Sequence, residues 1–445
     1  MSAHDAVRTT LARIDAIEPS LHSYITVTAD EALRAAKAFD AGTGGRPLHG
    51  MCVSLKDNIA TAAVRTTAGS LLLEDNVPVE SAPVVMSLER AGAVVIGKAH
   101  MNELAFGGQQ PAFGLTQNPW DPDVTAGGSS SGSAAGVAAG LATASIATDT
   151  AGSVRQPAAF CGVTGFKPTA GAISTEGVIP LSFTLDHIGI VARSAADASR
   201  VFAAVRRDGA EPSTATSPLV CMQVRAPDSA EPVAPEVALA VEGVIAVLGE
   251  IGLDVRPSVV LRELEAGLAG MTVITRVEAA LCHWPLVEPR IDEVHPAVRA
   301  RLRVGRALPS MHYARALRAR GRLAARVDAL FDDADVLLMP AVPFAPPPAG
   351  RRVITDERGT RSVSTASCTF LALFNVTGHP AIVVPAGFTD AGLPLSVQLV
   401  GRRHEDDRLL SLATAYQGVT DWHSPLPPIA RPAGASTPPD PADPT

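Results

Sequence analysis

Cysteine is scarce in this 445-residue chain, and the five present (Cys52, Cys161, Cys221, Cys282, Cys368) are odd in number and widely spaced. None stands in a CxxC pair, so neither a disulfide framework nor a zinc site is indicated. Long apolar runs are missing too: none reaches the ~18–20 residues that a membrane span needs. The N-terminal stretch MSAHDAVRTTLARIDAI has no apolar signal-peptide core. Its Val7, Leu11, Ile14 and Ile17 recur instead at helical spacing, which predicts an amphipathic helix. Nor is there an excess of positive charge. A net charge of −8 argues against a general nucleic-acid or membrane-surface binder. Together these absences imply a soluble protein of a reducing, cytoplasmic setting.

Lysine is the most informative shortage. Only four of the 37 basic residues are lysines: Lys37, Lys56, Lys98 and Lys167. A buried lysine can lose its proton and arginine cannot, so a chain that takes arginine nearly everywhere has kept lysine where a neutral amine is useful. Chance is the plain alternative for so small a number. Nine arginines gather between Arg299 and Arg326 with no acidic residue among them. A solvated helix face or a subunit contact, as in a homodimer, explains them most simply; steering of anionic ligands is the other reading.

Apolar residues are plentiful, at 47% of the chain, and allow a large core. Helical patterns cover residues 29–41, 82–91, 133–141 and 409–416. Residues 205–330 are mostly helical in pattern. Short apolar runs read as strands: one ending at Lys56, one at 93–96, and those in ADVLLMPAVP, HPAIVVPAGF and LPLSVQLVG. The stretch GAVVIGK, Gly92 to Lys98, spells GxxxxGK. Ala99 replaces the Ser/Thr a phosphate loop requires, and AVVI is strand material. No linker divides residues 1–423 and no fixed repeat is visible, so one α/β domain is predicted. The proline-rich residues 424–445 are predicted to be a disordered tail.

Residues 125–136, TAGGSSSGSAAG, look like a flexible linker but lie inside the chain. A serine hydroxyl is a weak nucleophile until a base takes its proton. Gly128 to Gly132 fits GxSxG, with Ser130 as the nucleophile of an α/β-hydrolase-like esterase. That elbow needs a buried strand before it, and NPWDPDVTAG is polar and proline-bearing. His187, His283, His295 or His379 could be its base, and nothing local favours one. The other arrangement uses Lys56, which burial would turn into a neutral base. A second turn, DTAGSVRQP, would then converge its backbone N–H groups on an oxyanion.

Several segments together resemble the amidase signature family. They are VSLKDNI, GKAHMNELAFG, TAGGSSSGSAAGVAAG, DTAGSVRQPAAFCGVTGFKPT, LDHIGIVARS, ADVLLMPAVP, NVTGHPAIVVPAGF and LPLSVQLVG, spanning nearly all of residues 1–420. The resemblance implies one domain with a mixed, mostly β-sheet core covered by helices on both faces, and amide hydrolysis by a Ser–cis-Ser–Lys triad. Lys56 matches the general base, Ser129 the bridging serine with a cis peptide bond, and Ser153 the acylated nucleophile. Thr150, Ala151, Gly152 and Ser153 match the oxyanion-hole N–H groups, and Ser130, Asp149 and Arg155 the residues that brace the turns. The plain alternative for each is a satisfied loop hydroxyl or a structural salt bridge. Gln156 is a candidate substrate contact, where an arginine would have clamped a carboxylate. The implied substrate is a small neutral or aryl amide, with carbamates in reach, and no metal or cofactor is called for. The runner-up is the glutaminase (A) subunit of a tRNA-dependent amidotransferase. Ala151 departs from the commoner glycine and raises the question whether that position needs a positive φ.

Overall fold

The computed structural model describes residues 2–42, 45–209, 219–357 and 359–431. Its strands are β1 (Tyr24–Val27), β2 (Cys52–Lys56), β3 (Val94–Ala99), β4 (Ala144–Asp149), β5 (Thr164–Lys167), β6 (His187–Ala192), β7 (Val220–Arg225), β8 (Asp254–Val260), β9 (Val336–Pro340), β10 (Val353–Asp356), β11 (Gly359–Ser362), β12 (Ala381–Phe388) and β13 (Pro394–Gly401). All except the β10–β11 hairpin join one mixed sheet in the order β1-β3-β2-β4-β6-β5-β12-β13-β9-β7-β8. β2 runs parallel to both β3 and β4, and β6 lies antiparallel to β4.

Side-chain alternation explains why the central strands read as continuous apolar runs: both faces are covered. Val53, Leu55, Ile146, Ile190, Leu338, Ile382 and Leu399 fall in one cluster, closed by helices Pro83–Arg90, Ala195–Val205, Pro235–Glu250 and Asp406–Gly418. On the opposite face Cys52, Ile96, Ala147 and Val191 pack with helices Ala3–Leu21, Ala29–Asp40 and Ser131–Ala138. Further along that face Leu337, Met339, Ala381 and Val400 meet helices Glu263–Val287, Ser310–Leu330 and Ala372–Thr377. Each such aliphatic side chain contributes about 1.5–3 kcal/mol by leaving water. No helix among the described residues is long and apolar enough to cross a membrane.

The first helix starts where Ser2 accepts a hydrogen bond from Asp5 N, and it buries Val7 and Ile14 as its spacing predicts. Two elements differ from the sequence reading. The stretch 205–330 holds strands β7 and β8 as well as helices; β8 is an edge strand, largely exposed, and lacks a clean apolar pattern. The predicted disordered tail begins with ordered residues. Pro428–Ala430 forms a 3-10 turn, Ala430 is buried beside the first helix, and Arg193 donates to the Pro425 carbonyl at 3.4 Å. Residues 432–445 lie outside the described residues.

Three of the four lysines, Lys56, Lys98 and Lys167, are fully buried, and Lys37 is exposed. Lys98 donates to Ile59 O and Thr66 Oγ1, both at 2.6 Å, and pairs with Asp57 at 3.7 Å, so GAVVIGK is a strand with an internal ion pair.

Candidate active site

β2 runs parallel between β3 and β4, and its last residue is Lys56. Val53 and Leu55 take one side of the sheet, which leaves Lys56 on the other, toward the Gly/Ser segment. Its Nζ donates to Ser129 Oγ at 2.8 Å, to Thr148 Oγ1 at 2.8 Å and to Thr148 O at 3.2 Å. Burial pushes the amine down to about 7, against the pull of Asp149 and Asp186 in the other direction. A lysine in that range is half neutral near physiological pH.

The run 125–136 is no linker. Gly127 has a φ of +79°, and a Cβ there would come within 2.9 Å of Pro157 Cα, so the turn needs glycine. The Gly128–Ser129 peptide is cis. Backbone bonds fix the segment on both sides: Asn102 N donates to Ser129 O at 3.0 Å, and Ser130 N to Ser153 O at 3.2 Å. Ser130 Oγ donates to Thr148 O at 3.3 Å. Helix Ser131–Ala138 then begins, with every residue buried.

β4 ends at Asp149 and the chain turns sharply. The buried Asp149 carboxylate accepts from Gly152 N at 2.7 Å, from Val154 N at 3.2 Å, and from Arg155 Nε and Nη2 at 2.9 and 3.0 Å. Asn375 Nδ2 adds a further bond at 2.8 Å. Burial alone would raise this carboxyl, but the Arg155 charge and these donors hold it well below the ordinary range. Arg155 is in turn held by Gln398 Oε1 at 2.7 Å and Asn375 Oδ1 at 2.6 Å. Thr150 Oγ1 donates to Asp186 Oδ1 at 2.6 Å. Burial raises Asp186 to about 6, although Thr150 and two backbone N–H groups favour its charged form.

One sequence reading changes here. Gly152 cannot offer its N–H to an oxyanion, because Asp149 already takes it; among the described residues the N–H groups of Thr150, Ala151 and Ser153 have no acceptor. Gln156, read as a substrate contact, lines the same cavity as Ser129 and Ser153; its Oε1 accepts from Gly128 N at 2.9 Å, which ties the two loops together, and its Nε2 makes no hydrogen bond among the described residues. The question about Ala151 is resolved by φ. The left-handed residue is Gly152, at +107°, and Ala151 is not in that region.

Ser129, Ser153 and Thr150 line a cavity of about 120 Å³, with Phe106, Met271, Arg301 and Cys368 on other walls. Ser153 is half-buried and Ser129 nearly fully buried. No hydrogen bond joins their two hydroxyls among the described residues. Arg301 comes from helix Pro296–Ala307, within the arginine cluster. Six of the nine arginines there are exposed, as a solvated face requires, but Arg301 turns inward. It donates to Phe106 O at 3.0 Å and has no carboxylate partner among the described residues. Burial lowers its pKa below the ordinary arginine value. Among the described residues no carboxylate lines this cavity.

The esterase elbow is excluded by geometry. No strand leads into Gly128, and Ser130 is buried against Thr148. His187 bonds Leu185 O, His379 bonds Thr377 and Asp328, and His295 caps a helix. Burial lowers the pKa of His283, opposed by a hydrogen bond to the Pro180 backbone. None of the four bonds Ser129, Ser130 or Ser153. Sequence reasoning missed Thr148, Asn102, Asp186, Asn375, Gln398 and Arg301. Gln398, a lone amide within the strand run LPLSVQLVG, is the one that pattern alone could have flagged, since a buried polar group needs a partner.

Residues 5–410 match the model of the family described as Amidase. The chain belongs to the amidase family. It is 35% identical to the Mycobacterium tuberculosis protein that carries the name amidase AmiD, over 96% of this chain and 93% of that one. It is 36% identical to a glutamyl-tRNA(Gln) amidotransferase subunit of Roseiflexus sp., over 94% and 93% of the two chains. Among solved structures, 6-aminohexanoate cyclic dimer hydrolase superposes with a TM-score of 0.85 at 26% identity, covering 97% and 96%. The mixed sheet flanked by helices is therefore the family's fold, and the family's members act on carbon–nitrogen bonds.

Proposed function

We propose that this amidase-family chain hydrolyses small-molecule amides through an acyl-enzyme on Ser153, with Ser129 relaying protons to Lys56. The observation that carries this reading is the Lys56–Ser129 contact at 2.8 Å made by a buried amine whose pKa lies near 7. The neutral amine has two N–H bonds for Thr148 O and Thr148 Oγ1 and one lone pair for Ser129. Ser129 passes its proton to Lys56 as it takes the proton of Ser153, and Ser153 Oγ bonds to the amide carbon. The N–H groups of Thr150, Ala151 and Ser153 face the resulting oxyanion. The proton returns through Ser129 to the leaving nitrogen, the C–N bond breaks, and water enters by the same relay to release the acid. Ser130, Asp149 and Arg155 hold the two loops in place, and Gln156 now joins them.

Arg301 shapes the substrate reading. The expectation of a neutral amide rested on Gln156, which lines the cavity with its Oε1 taken by Gly128 N, and Arg301 adds a charge to the same walls. A mostly buried guanidinium without a carboxylate favours an amide that carries an accepting or anionic group beside the scissile bond. The second reading, a glutaminase component of an amidotransferase, draws on the Roseiflexus relative. It is weakened because the described cavity wall has no carboxylate to meet the ammonium of glutamine.

The test uses the purified chain alone, with acetanilide, a carboxylate-bearing anilide and glutamine, and product release as the readout. Amine release from either anilide without a partner supports the proposal; ammonia from glutamine only, and only with added partner proteins, refutes it. Arg301→Met should raise KM for the carboxylate-bearing anilide by about 10–100-fold, the worth of a charge-assisted hydrogen bond, and leave acetanilide unchanged.

A further inference from the structure

We infer that an uncharged apolar arm of the substrate extends from the catalytic cavity into a second, larger cavity whose floor is the same helix. This rests on the amide-hydrolase reading above and adds the class of substrate. The second cavity measures about 600 Å³ and the catalytic one about 120 Å³. Sites for drug-sized ligands run ~300–1,000 Å³, so the catalytic cavity alone holds only the reacting group, and the two together hold a whole molecule.

The two spaces are continuous in their walls. Thr365 lines both. On helix Glu263–Val287, Leu264 and Leu268 line the outer cavity, and Met271 and Thr275 the inner one. Those four positions follow i, i+4, i+7, i+11, which is one stripe of a helix. A single helix face therefore runs from beneath Ser153 out to the apolar space.

The chemistry of the outer walls favours an apolar ligand over an anionic one. Leu268 and Ala269 supply accessible apolar surface, over the buried Leu264 and Ala366 behind them. The one cation in the described wall, Arg361, is already bound by Glu231 at 2.7 and 3.0 Å and by Asp356 at 2.7 Å. An anionic arm would meet Glu231 and Glu265 with no free positive charge from Arg361 to offset them.

Binding can be read apart from turnover in the Ser153→Ala protein by titration calorimetry, with two series: N-phenyl alkanamides of rising acyl length and N-alkyl acetamides of rising amine length. In at least one series affinity should rise about fourfold per added methylene over the first several carbons. Adding Ala269→Trp, from an exposed position, should flatten that rise while acetanilide binds as before. Leu268→Ala, which widens the space, should move the best length upward. Affinity that ignores length in both series, or a slope unchanged by Ala269→Trp, would overturn the inference. Wild-type hydrolysis of acetanilide and of the carboxylate-bearing anilide is scored separately: length-dependent binding without hydrolysis of either keeps the cavity assignment and removes the catalytic reading.

Discussion

In the proposed mechanism a single amine decides the chemistry at the scale of residues. Lys56 is useful only when neutral, and its pKa sits at about 7. Protonation below that value removes the base, so kcat/KM for an anilide should climb with pH through about 7 and level off above it. Lys56→Ala should lose most activity together with that rise, which a pH–rate profile would show. Ser153→Ala should lower turnover by ~10³-fold or more, and a fluorophosphonate should label Ser153 rather than Ser130, as peptide mass spectrometry can tell. Asp149 behaves oppositely to the lysine. Its folded-state pKa is depressed, so the stability it contributes is complete above the ordinary aspartate value of ~3.9 and is lost as pH falls below it. Asp149→Asn should cost about 3–5 kcal/mol at neutral pH, since it leaves Arg155 buried without its partner. In urea titrations the gap between the two proteins should narrow below pH ~4.

Among elements, the Asp149–Arg155 turn shows what sequence can and cannot specify. Gly152 is required twice over: its φ is +107°, and a Cβ would come within 2.5 Å of Leu371 Cδ1. Gly152→Ala should therefore lower both thermal stability and activity, whereas Ala151→Gly should change activity little. Comparing melting temperature and kcat/KM for the two variants separates them. The turn, β2 with its terminal lysine and the Gly/Ser run were legible because local composition marks them. Lys56 Nζ lies 2.8 Å from Ser129 Oγ, and Ser129 and Ser153 line one cavity. What stayed hidden depends on long-range register. Asn375 and Gln398 reach Arg155 from over 200 positions away, and no local pattern encodes such a distance. The edge strand β8 was hidden for the opposite reason: exposure on both faces leaves no periodic apolar signal.

Over the whole molecule, the C-terminal segment behaves as part of the body as far as Arg431. Ending the chain after residue 423 instead of 431 removes buried Ala430 and frees the Arg193 contact to the Pro425 carbonyl. The shorter protein should melt lower, by about 1 °C for each ~1 kcal/mol lost in a chain this long, with the 1–431 protein as reference. The burial of lysine has a consequence of another kind. Lys56, Lys98 and Lys167 are sealed from solvent, which leaves Lys37, on helix Ala29–Asp40 beyond the catalytic loops, as the one lysine side chain open to reagents. Amine-directed coupling to a bead or a dye would thus reach the lysine side chains of the folded protein through Lys37 alone. A second reactive lysine would appear only as the fold opens.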